Sequence, residues 1–196
     1  MSYDLITAQG FESDNTPFTL TGTMARSTTS PLAGTYSLRG GNGLAVDGAA
    51  TWTLPAASRP STGSRKGLRL QIWFKFKIAA APAGGNISVL DLYDGGGVIK
   101  GGLGILGGTT VLRYNSVAGS TAMTTARSIY IDYREEKASG GYVQIYVDGA
   151  LEITRRAVGE QLGILGKLVL GVAASGKCTW DGRWDDMTVK VAYDPQ

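Results

Sequence analysis

The sequence predicts an all-β protein, an antiparallel two-sheet jelly-roll sandwich. Three observations predict it: about a dozen short segments alternate apolar and polar residues, glycine-rich turns separate them, and no segment has the periodicity of a helix. The chain has 196 residues, 43% of them hydrophobic and 18% charged. This is the composition of a folded globular protein. We expect a single domain over residues 1–196.

The longest predicted strand covers residues 68–78. Its leucine, isoleucine and phenylalanine side chains occupy every second position, and mostly polar side chains lie between them. A strand with one fully apolar face crosses the core of a sandwich. Shorter strands are predicted at 18–21, 34–39, 50–54, 87–93, 129–133, 168–172 and 186–191, and a hairpin around Gly107-Gly108 joins 98–106 to 109–115.

The segment 142–153 predicts a β-hairpin with two competing registers. Asp148-Gly149 is a strong signal for a two-residue type I′ turn, which pairs Val147 with Ala150. Matching apolar to apolar side chains instead pairs Ile145 with Ile153. A slip of one residue exchanges the two faces of a strand. We therefore predict a β-bulge beside Ala150, which would satisfy both the turn and the core.

Composition excludes several functions. The net charge of +3 comes from 19 basic and 16 acidic residues, which is too balanced for a nucleic-acid-binding face. The chain has no histidine, which excludes a Ser-His-Asp triad and any histidine-ligated metal, and its single cysteine, Cys178, excludes an intrachain disulfide. The N-terminus is not a signal peptide, and no apolar run approaches the ~20 residues of a membrane helix. We expect no nucleic acid and no membrane among the partners.

Three motifs together resemble the concanavalin A-like lectin/glucanase (laminin-G-like) jelly-roll superfamily. They are Gly10-Phe11-Glu12-Ser13 followed by residues 33–39, then residues 143–149, and finally Trp184-Asp185-Asp186-Met187-Thr188-Val189. Their order and spacing resemble that superfamily over nearly the whole chain. The resemblance implies two stacked antiparallel sheets with neighbouring N- and C-terminal strands.

Members of this superfamily also occur as accessory proteins on the virions of tailed phages, and the size of this chain is similar to theirs. By that analogy we expect a virion decoration protein. It would be made in the host cytoplasm and would dock on capsid or tail proteins, as a homo-oligomer. The alternative is a free-standing carbohydrate-binding module, and a polysaccharide-active enzyme comes third.

We expect the chain not to be an enzyme. The glucanase branch of the superfamily carries its acid and nucleophile in a Glu-x-Asp-x-x-Glu arrangement on one strand, and this triplet is absent from the sequence. The nearest approach is Asp132, Glu135 and Glu136, but the two glutamates are adjacent in a charged turn. A solvated turn explains them better than a catalytic pair.

Aromatic and polar residues before the last strand form a candidate glycan site. Sugar sites use aromatic rings as platforms, with nearby polar groups for the hydroxyls. Trp180, Asp181 and Arg183 have this composition, and Tyr93 lies near another predicted loop. Trp180 is the ring that we expect to be exposed. The alternative is packing in the core or at its rim, which we expect for Trp52, Trp73 and Trp184.

The resemblance also implies a candidate structural calcium site. In related jelly rolls an acid on the first strand and one on the last can hold the ion. Glu12 and Asp186 occupy matching positions, and Asp185 is adjacent. Calcium takes six to eight oxygen ligands, to which loops could add carbonyls. The alternative is that these acids are solvated or paired with arginine. Asp91 and Asp94, beside three glycines, form a second candidate.

Overall fold

The computed structural model describes residues 4–14, 16–41, 47–54, 67–135, 141–156, 162, 164–171 and 178–193. All the regular secondary structure within these residues is β-strand. In this part of the chain no helix is long and apolar enough to cross a membrane. In chain order the strands are β1 (Asp4–Gln9), β2 (Thr19–Gly22), β3 (Ala25–Ser27), β4 (Ser37–Gly40), β5 (Gly48–Thr53), β6 (Leu68–Ile78), β7 (Ile87–Asp94), β8 (Ile99–Ile105), β9 (Val111–Tyr114), β10 (Val117–Ala122), β11 (Arg127–Arg134), β12 (Tyr142–Val147), β13 (Ala150–Arg156), β14 (Leu165–Leu170) and β15 (Gly182–Tyr193).

The described strands form two antiparallel sheets. The first has the order β13-β12-β11-β6-β15-β4-β3, and β1 also pairs with β15; the second has the order β10-β9-β8-β7-β14-β5-β2. The first and last strands are therefore neighbours, because Asp4 to Gln9 pair with Val191 to Met187. The predicted all-β, antiparallel two-sheet sandwich is confirmed.

Strand β6 is central in the first sheet and shows how the core is built. Its bounds are those predicted, and its apolar residues are buried while the alternate ones are half-buried on the outer face. It pairs with β11 on one side and β15 on the other. The indole nitrogen of Trp184 donates to the carbonyl of Val89, 3.0 Å away in the second sheet. This bond crosses the core and ties the two sheets together.

The hairpin of β12 and β13 satisfies both predicted registers. Val147 pairs with Ala150 across an Asp148-Gly149 turn in which both residues have positive φ, 50° and 84°. Ile145 nevertheless pairs with Ile153, because a β-bulge leaves Glu152 without a partner on β12. The bulge lies two residues beyond the predicted position at Ala150. It turns Glu152 toward the second sheet, where its carboxylate accepts from the Ser120 amide and both hydroxyls of Ser120 and Thr121.

Other predictions were incomplete. Strand β10 was missed, because residues 117–122 are mostly small, do not alternate apolar with polar side chains, and lie at a sheet edge. The expectation that Trp73 is a core residue was wrong: Trp73 is half-buried on the outer face of the first sheet, stacked on Tyr130. Trp52 and Trp184 are buried, as predicted.

Asp148 offers a test of the hairpin. Its carboxylate accepts from the Ser128 amide at 2.9 Å and pairs with Arg127 at 2.8 Å, and both hold its pKa below the ordinary value. Asp148→Ala loses these bonds and strains the positive φ, so denaturant unfolding should show a loss of about 1–2 kcal/mol. Asp148→Asn keeps a residue that tolerates this φ and should lose less.

The pH dependence of the Asp148→Asn difference has a defined sign. A carboxylate with a lowered pKa stabilises the fold above its unfolded pKa of about 4, and the contribution is lost as pH falls through the folded value. The variant should therefore be less stable than the wild type at pH 7 and should approach it under acid. A constant difference at both pH values would contradict the ion pair's role.

Candidate functional site

A cavity of about 420 Å³ opens on the outer face of the second sheet, over β7, β8 and the end of β9. Its lining combines a carboxyl, two cations and amides with glycines of β8. We call this cavity the Gly102 pocket; the lining residues used below are Ser88, Asp91, Lys100, Gly102, Arg113 and Asn115. A concave site with a few converging polar groups is the usual form of a small-ligand site.

Glycine at two positions of β8 makes room for the pocket. Gly102 pairs with Asp91 on the neighbouring strand, and a Cβ at position 102 would lie 2.6 Å from Asp91 Oδ1. A Cβ at Gly104 would lie 2.7 Å from the carbonyl oxygen of Ile87. Both separations are closer than van der Waals contact. The Asp91 carboxyl can therefore lie against the sheet only because residue 102 has no side chain.

Asp91 is the chemically distinctive group of the pocket. Its side chain belongs to a residue only 6% exposed, and burial raises its pKa to about 6, while a hydrogen bond from Ser88 acts in the opposite direction. No cation among the described residues lies within 4 Å of its carboxylate. Desolvation disfavours the charged form of an acid. Near pH 6, Asp91 therefore exists in both protonated and ionised forms, as a proton-transfer group requires.

Two cations flank this carboxyl in the lining. Arg113 donates through Nε to the backbone carbonyl of Asn115, and the Asn115 side chain accepts from the Gly102 amide at 3.3 Å. Lys100 Nζ lies 3.6 Å from Asp94 Oδ2. The pocket thus has positive charge in the same lining as the Asp91 carboxyl, which its raised pKa makes easy to protonate.

Asp94 does not face the pocket. One of its carboxylate oxygens accepts from the amides of Gly96 and Val98, both at 2.9 Å, and these bonds with Lys100 hold its pKa below the ordinary value. Asp94 therefore closes the turn between β7 and β8. Asp91 and Asp94 take different roles and do not combine into the second predicted calcium site.

Tyr93, one of the predicted glycan-binding residues, lies on β7 two positions after Asp91. Burial and the charge of Asp91 both raise the pKa of its phenol. Lys167 Nζ lies 3.9 Å from the centre of its ring. One face of this ring is therefore covered by a cation. Tyr93 is thus better placed to offer its hydroxyl group to a ligand than to offer an open ring face for stacking.

The other predicted glycan residues lie together but form no open site. Trp180, expected to be exposed, is 2% exposed and packs edge-on against Trp184 at 6.0 Å. Its ring lies over Gly41, where a Cβ would be 2.5 Å from the indole. The missed signal was the Gly40-Gly41 pair, which provides the space for a large ring. Trp180 has no face for a sugar.

Asp181 and Arg183 are also engaged within the fold. Asp181 accepts two hydrogen bonds from Arg39, at 3.0 and 2.8 Å. Arg183 donates to the carbonyl of Thr29 at 3.1 Å and lies 3.5 Å from Asp181. These contacts hold β4, β15 and the loop at Thr29 together, which explains the composition of this cluster without a ligand.

The acids of the predicted calcium site do not fit that ion. Asp185 is fully buried and accepts from the Ser37 hydroxyl and the amides of Ala33 and Asp186, and burial raises its pKa. Asp186 pairs with Lys75 at 2.7 Å, and Glu12 accepts from the amides of Thr35 and Tyr36. Hydrogen-bond donors and an ammonium group occupy the oxygens that calcium would need. The described residues contain no cluster of three or more metal-binding side chains.

The residues that come nearest to a glucanase triplet in the sequence have different environments in the structure. Asp132 lies on the outer face of the first sheet and pairs with Arg134 at 2.9 Å. Glu135 is buried and accepts from the Tyr133 hydroxyl at 2.6 Å. Glu136 lies outside the described residues. The expectation of a solvated turn was wrong for these two acids: Asp132 lies on β11, and Asp132 and Glu135 are both buried and hydrogen-bonded within the fold.

Comparisons with known proteins give structural matches only. No family model matches the chain, and no curated protein matches it. The cellulose induced protein Cip1 has a TM-score of 0.58 at 14% identity, and the match covers 93% of this chain and 96% of that one. The endo-β-1,4-glucuronan lyase of Trichoderma reesei has a TM-score of 0.57 at 12% identity, covering 94% and 90%. A carbohydrate esterase of the Shiga toxin-encoding bacteriophage phi24B has a TM-score of 0.61 at 14% identity, covering 97% and 99%.

The fold is the concanavalin A-like jelly roll. The predicted resemblance is thereby confirmed over nearly the whole chain. Identities this low establish the fold of the jelly roll and not its activity.

The prediction that the chain is not an enzyme is contradicted. Two of these jelly rolls are named as a lyase and an esterase that act on carbohydrates. The argument from the missing histidine and the missing carboxylate triplet excluded only the chemistries that need them. Asp91 was predicted only as a calcium ligand, because its contact with Gly102 of another strand cannot be seen in the sequence.

Replacing Asp91 gives a test of its environment. Asp91→Asn removes a buried charge, so the variant should be more stable than the wild type at pH 8 by about 3 kcal/mol and nearly equal to it at pH 4. The sign follows because a raised pKa gives stability below the unfolded value of about 4, and this is lost as pH rises through about 6. Denaturant unfolding at both pH values measures the difference.

Asp94→Asn is the matched control for this measurement. The pKa of Asp94 is lowered, so the stability difference should have the opposite sign, with the variant weaker at pH 8. Equal behaviour of the two variants would show that Asp91 is not desolvated.

Proposed function

We propose that the chain binds a carbohydrate in the Gly102 pocket and that Asp91 transfers a proton in a reaction on the bound sugar. The observation that carries the proposal is the Asp91 carboxyl, which is buried, has a pKa of about 6 and opens on a cavity. Perturbed carboxyls in clefts are characteristic of functional sites. The names of the similar jelly rolls, which include a glucuronan lyase and a carbohydrate esterase, support a carbohydrate ligand.

The lining of the pocket suits a sugar. Asn115 and Ser88 offer amide and hydroxyl groups, and Ile99, which is 51% exposed, gives an apolar edge. Sugars combine hydroxyl groups with apolar C–H faces. Lys100 and Arg113 add positive charge, which favours a sugar that carries a carboxylate.

Among reactions of sugars, this set of groups favours β-elimination over hydrolysis. Glycoside hydrolysis ordinarily uses two carboxyls across the scissile bond, and Asp94 is held in its turn. Elimination from a uronate needs the sugar carboxylate neutralised and one proton removed beside it. Lys100 and Arg113 would bind the carboxylate, and ionised Asp91 would accept the C5 proton. The C4–O bond then breaks, a C4–C5 double bond forms, and the leaving oxygen takes a proton from water.

Activity on polyuronates tests the proposal. Purified protein should release unsaturated products from alginate or polyglucuronate, detected by ultraviolet absorbance, with a rate that rises as pH passes through about 6. Asp91→Asn should lower kcat about 100-fold or more, as for loss of a general base. Gly102→Ala, which displaces the carboxyl without removing it, should also lower kcat.

Asp148→Asn is the matched control, because it makes the same change at the turn between β12 and β13, away from the pocket. It should keep wild-type activity. Absence of product from every uronate and neutral glycan, or full activity in Asp91→Asn, would contradict the proposal.

One comparison favours a second role. The phage esterase matches over 97% of this chain and 99% of its own length, which supports a jelly roll that works on a phage particle. In that role the protein would be made in the host cytoplasm and would dock on capsid or tail proteins as a homo-oligomer. Mass spectrometry of purified virions from a phage that encodes the chain should find it in stoichiometric amounts. Its absence from the particles would contradict this role.

A further inference from the structure

The outer face of the first sheet carries a second set of chemically distinctive residues. It lies on the opposite side of the sandwich from the Gly102 pocket, on β15, β6, β11 and β12. We call it the basic face. Its residues stand in register across the four strands, in the rows Thr188-Trp73-Tyr130-Tyr146, Lys190-Gln71-Asp132-Gln144 and Ala192-Arg69-Arg134-Tyr142. Asp132 and Ala192 are buried, and the other residues of the rows are half-buried.

The aromatic row is stacked on itself. Trp73 and Tyr130 lie with ring centres 4.7 Å apart and planes 15° apart, and Tyr130 and Tyr146 follow at 5.5 Å and 27°. Lys190 Nζ lies 5.2 Å from the centre of the Trp73 ring. Both faces of Tyr130 are thus covered by neighbouring rings. The row offers ring edges and hydroxyl groups to a ligand rather than open ring faces.

Positive charge dominates this face. Among its described residues the cations are Arg69, Lys75, Lys77, Arg134 and Lys190, and the carboxylates are Asp132 and Asp186. Each carboxylate is already paired, Asp132 with Arg134 and Asp186 with Lys75. These five cations and two carboxylates sum to +3, and Arg183 and Asp185, which stand in register with Lys77 and Lys75, are buried.

The second row adds neutral hydrogen-bonding groups between the charges. Gln71 donates to the Tyr130 hydroxyl at 2.9 Å, and Gln144 accepts from the Tyr146 hydroxyl at 3.3 Å. These bonds use only part of the capacity of each amide and hydroxyl. The Gln71 carbonyl and the Gln144 amide nitrogen keep sites for a ligand, held in place by the bonds already made.

We infer that the basic face binds a linear acidic polysaccharide. The rows place cations, amides and hydroxyls on neighbouring strands about 4.8 Å apart, over roughly 14 Å across four strands. An extended array of this kind matches an extended polymer that carries both hydroxyl and carboxylate or sulfate groups. The contacts would be mainly hydrogen bonds and ion pairs, since the rings of the aromatic row stack on one another.

Two other occupants fit less well. A single-stranded nucleic acid relies on stacking successive bases on open aromatic faces, and here both faces of Tyr130 are covered and Trp73 has Tyr130 on one face and Lys190 near its ring. A second copy of this chain, placed on the same face about a two-fold axis, would bring two net positive surfaces together. The inference stands independently of the pocket and goes beyond the proposed function.

Binding to immobilised alginate, with dextran as the neutral polymer, tests the inference. All variants are made in the Asp91→Asn background so that the polymer stays intact. The double variant Lys77→Gln/Lys190→Gln should weaken alginate binding roughly five- to tenfold, which is the expected effect of losing two exposed ion pairs. Its affinity should also depend less on salt concentration than that of the parent protein. The control Arg127→Gln/Arg155→Gln removes the same charge away from the basic face and should change affinity by less than about twofold.

Gln71→Ala keeps the charge unchanged and tests the amide. It should weaken binding about two- to threefold, as for one neutral hydrogen bond, with an unaltered salt dependence. Thermal melting confirms that each variant is folded. Equal losses in the two charge variants, absence of alginate binding, or tighter binding to single-stranded DNA than to alginate would each overturn the inference. With Asp91 restored, activity on short oligosaccharides in the Lys77/Lys190 variant reports separately on the pocket.

Discussion

The shared core between the two sheets is the constraint on which the rest of the structure depends. The central strands give alternate side chains to it, as β6 does with its buried row. Trp184 of β15 also crosses it by donating to the carbonyl of Val89 in the opposite sheet. Only the side chains that point away from the core are then available to bind a ligand or take part in a reaction. The two outer faces use it differently, because glycines hollow one into a pocket and large polar side chains build up the other.

Most of the fold could be predicted, because it follows from patterns that are local in the chain. The bounds of β6 and the hairpin at Asp148-Gly149 come from alternation and turn chemistry, which neighbouring residues determine. The bulge was predicted two residues too early. Its position depends on Glu152 reaching Ser120 and Thr121 at the edge of the other sheet, a contact that no local pattern contains.

The site could be predicted much less well, because its properties arise between strands. Asp91 is ordinary in sequence, and its raised pKa requires burial against Gly102, eleven positions later on β8. The prediction that Trp180 is exposed failed for a related reason. The space that buries its ring is left by Gly41, which is distant in the sequence. The composition indicated residue types that bind sugars. Burial in the folded structure determines which of these side chains a sugar can reach.

Burial alone does not make a carboxyl functional, and two aspartates of this chain show the difference. Asp185 and Asp91 both have raised pKa values caused by desolvation. Asp185 is enclosed and receives a hydroxyl and two amide donors, so its oxygens are saturated and no substrate can reach them. Asp91 opens on a cavity and has Ser88 as a donor. The proposed proton transfer needs a carboxyl with a shifted pKa that a ligand can reach, and Asp91 has both properties.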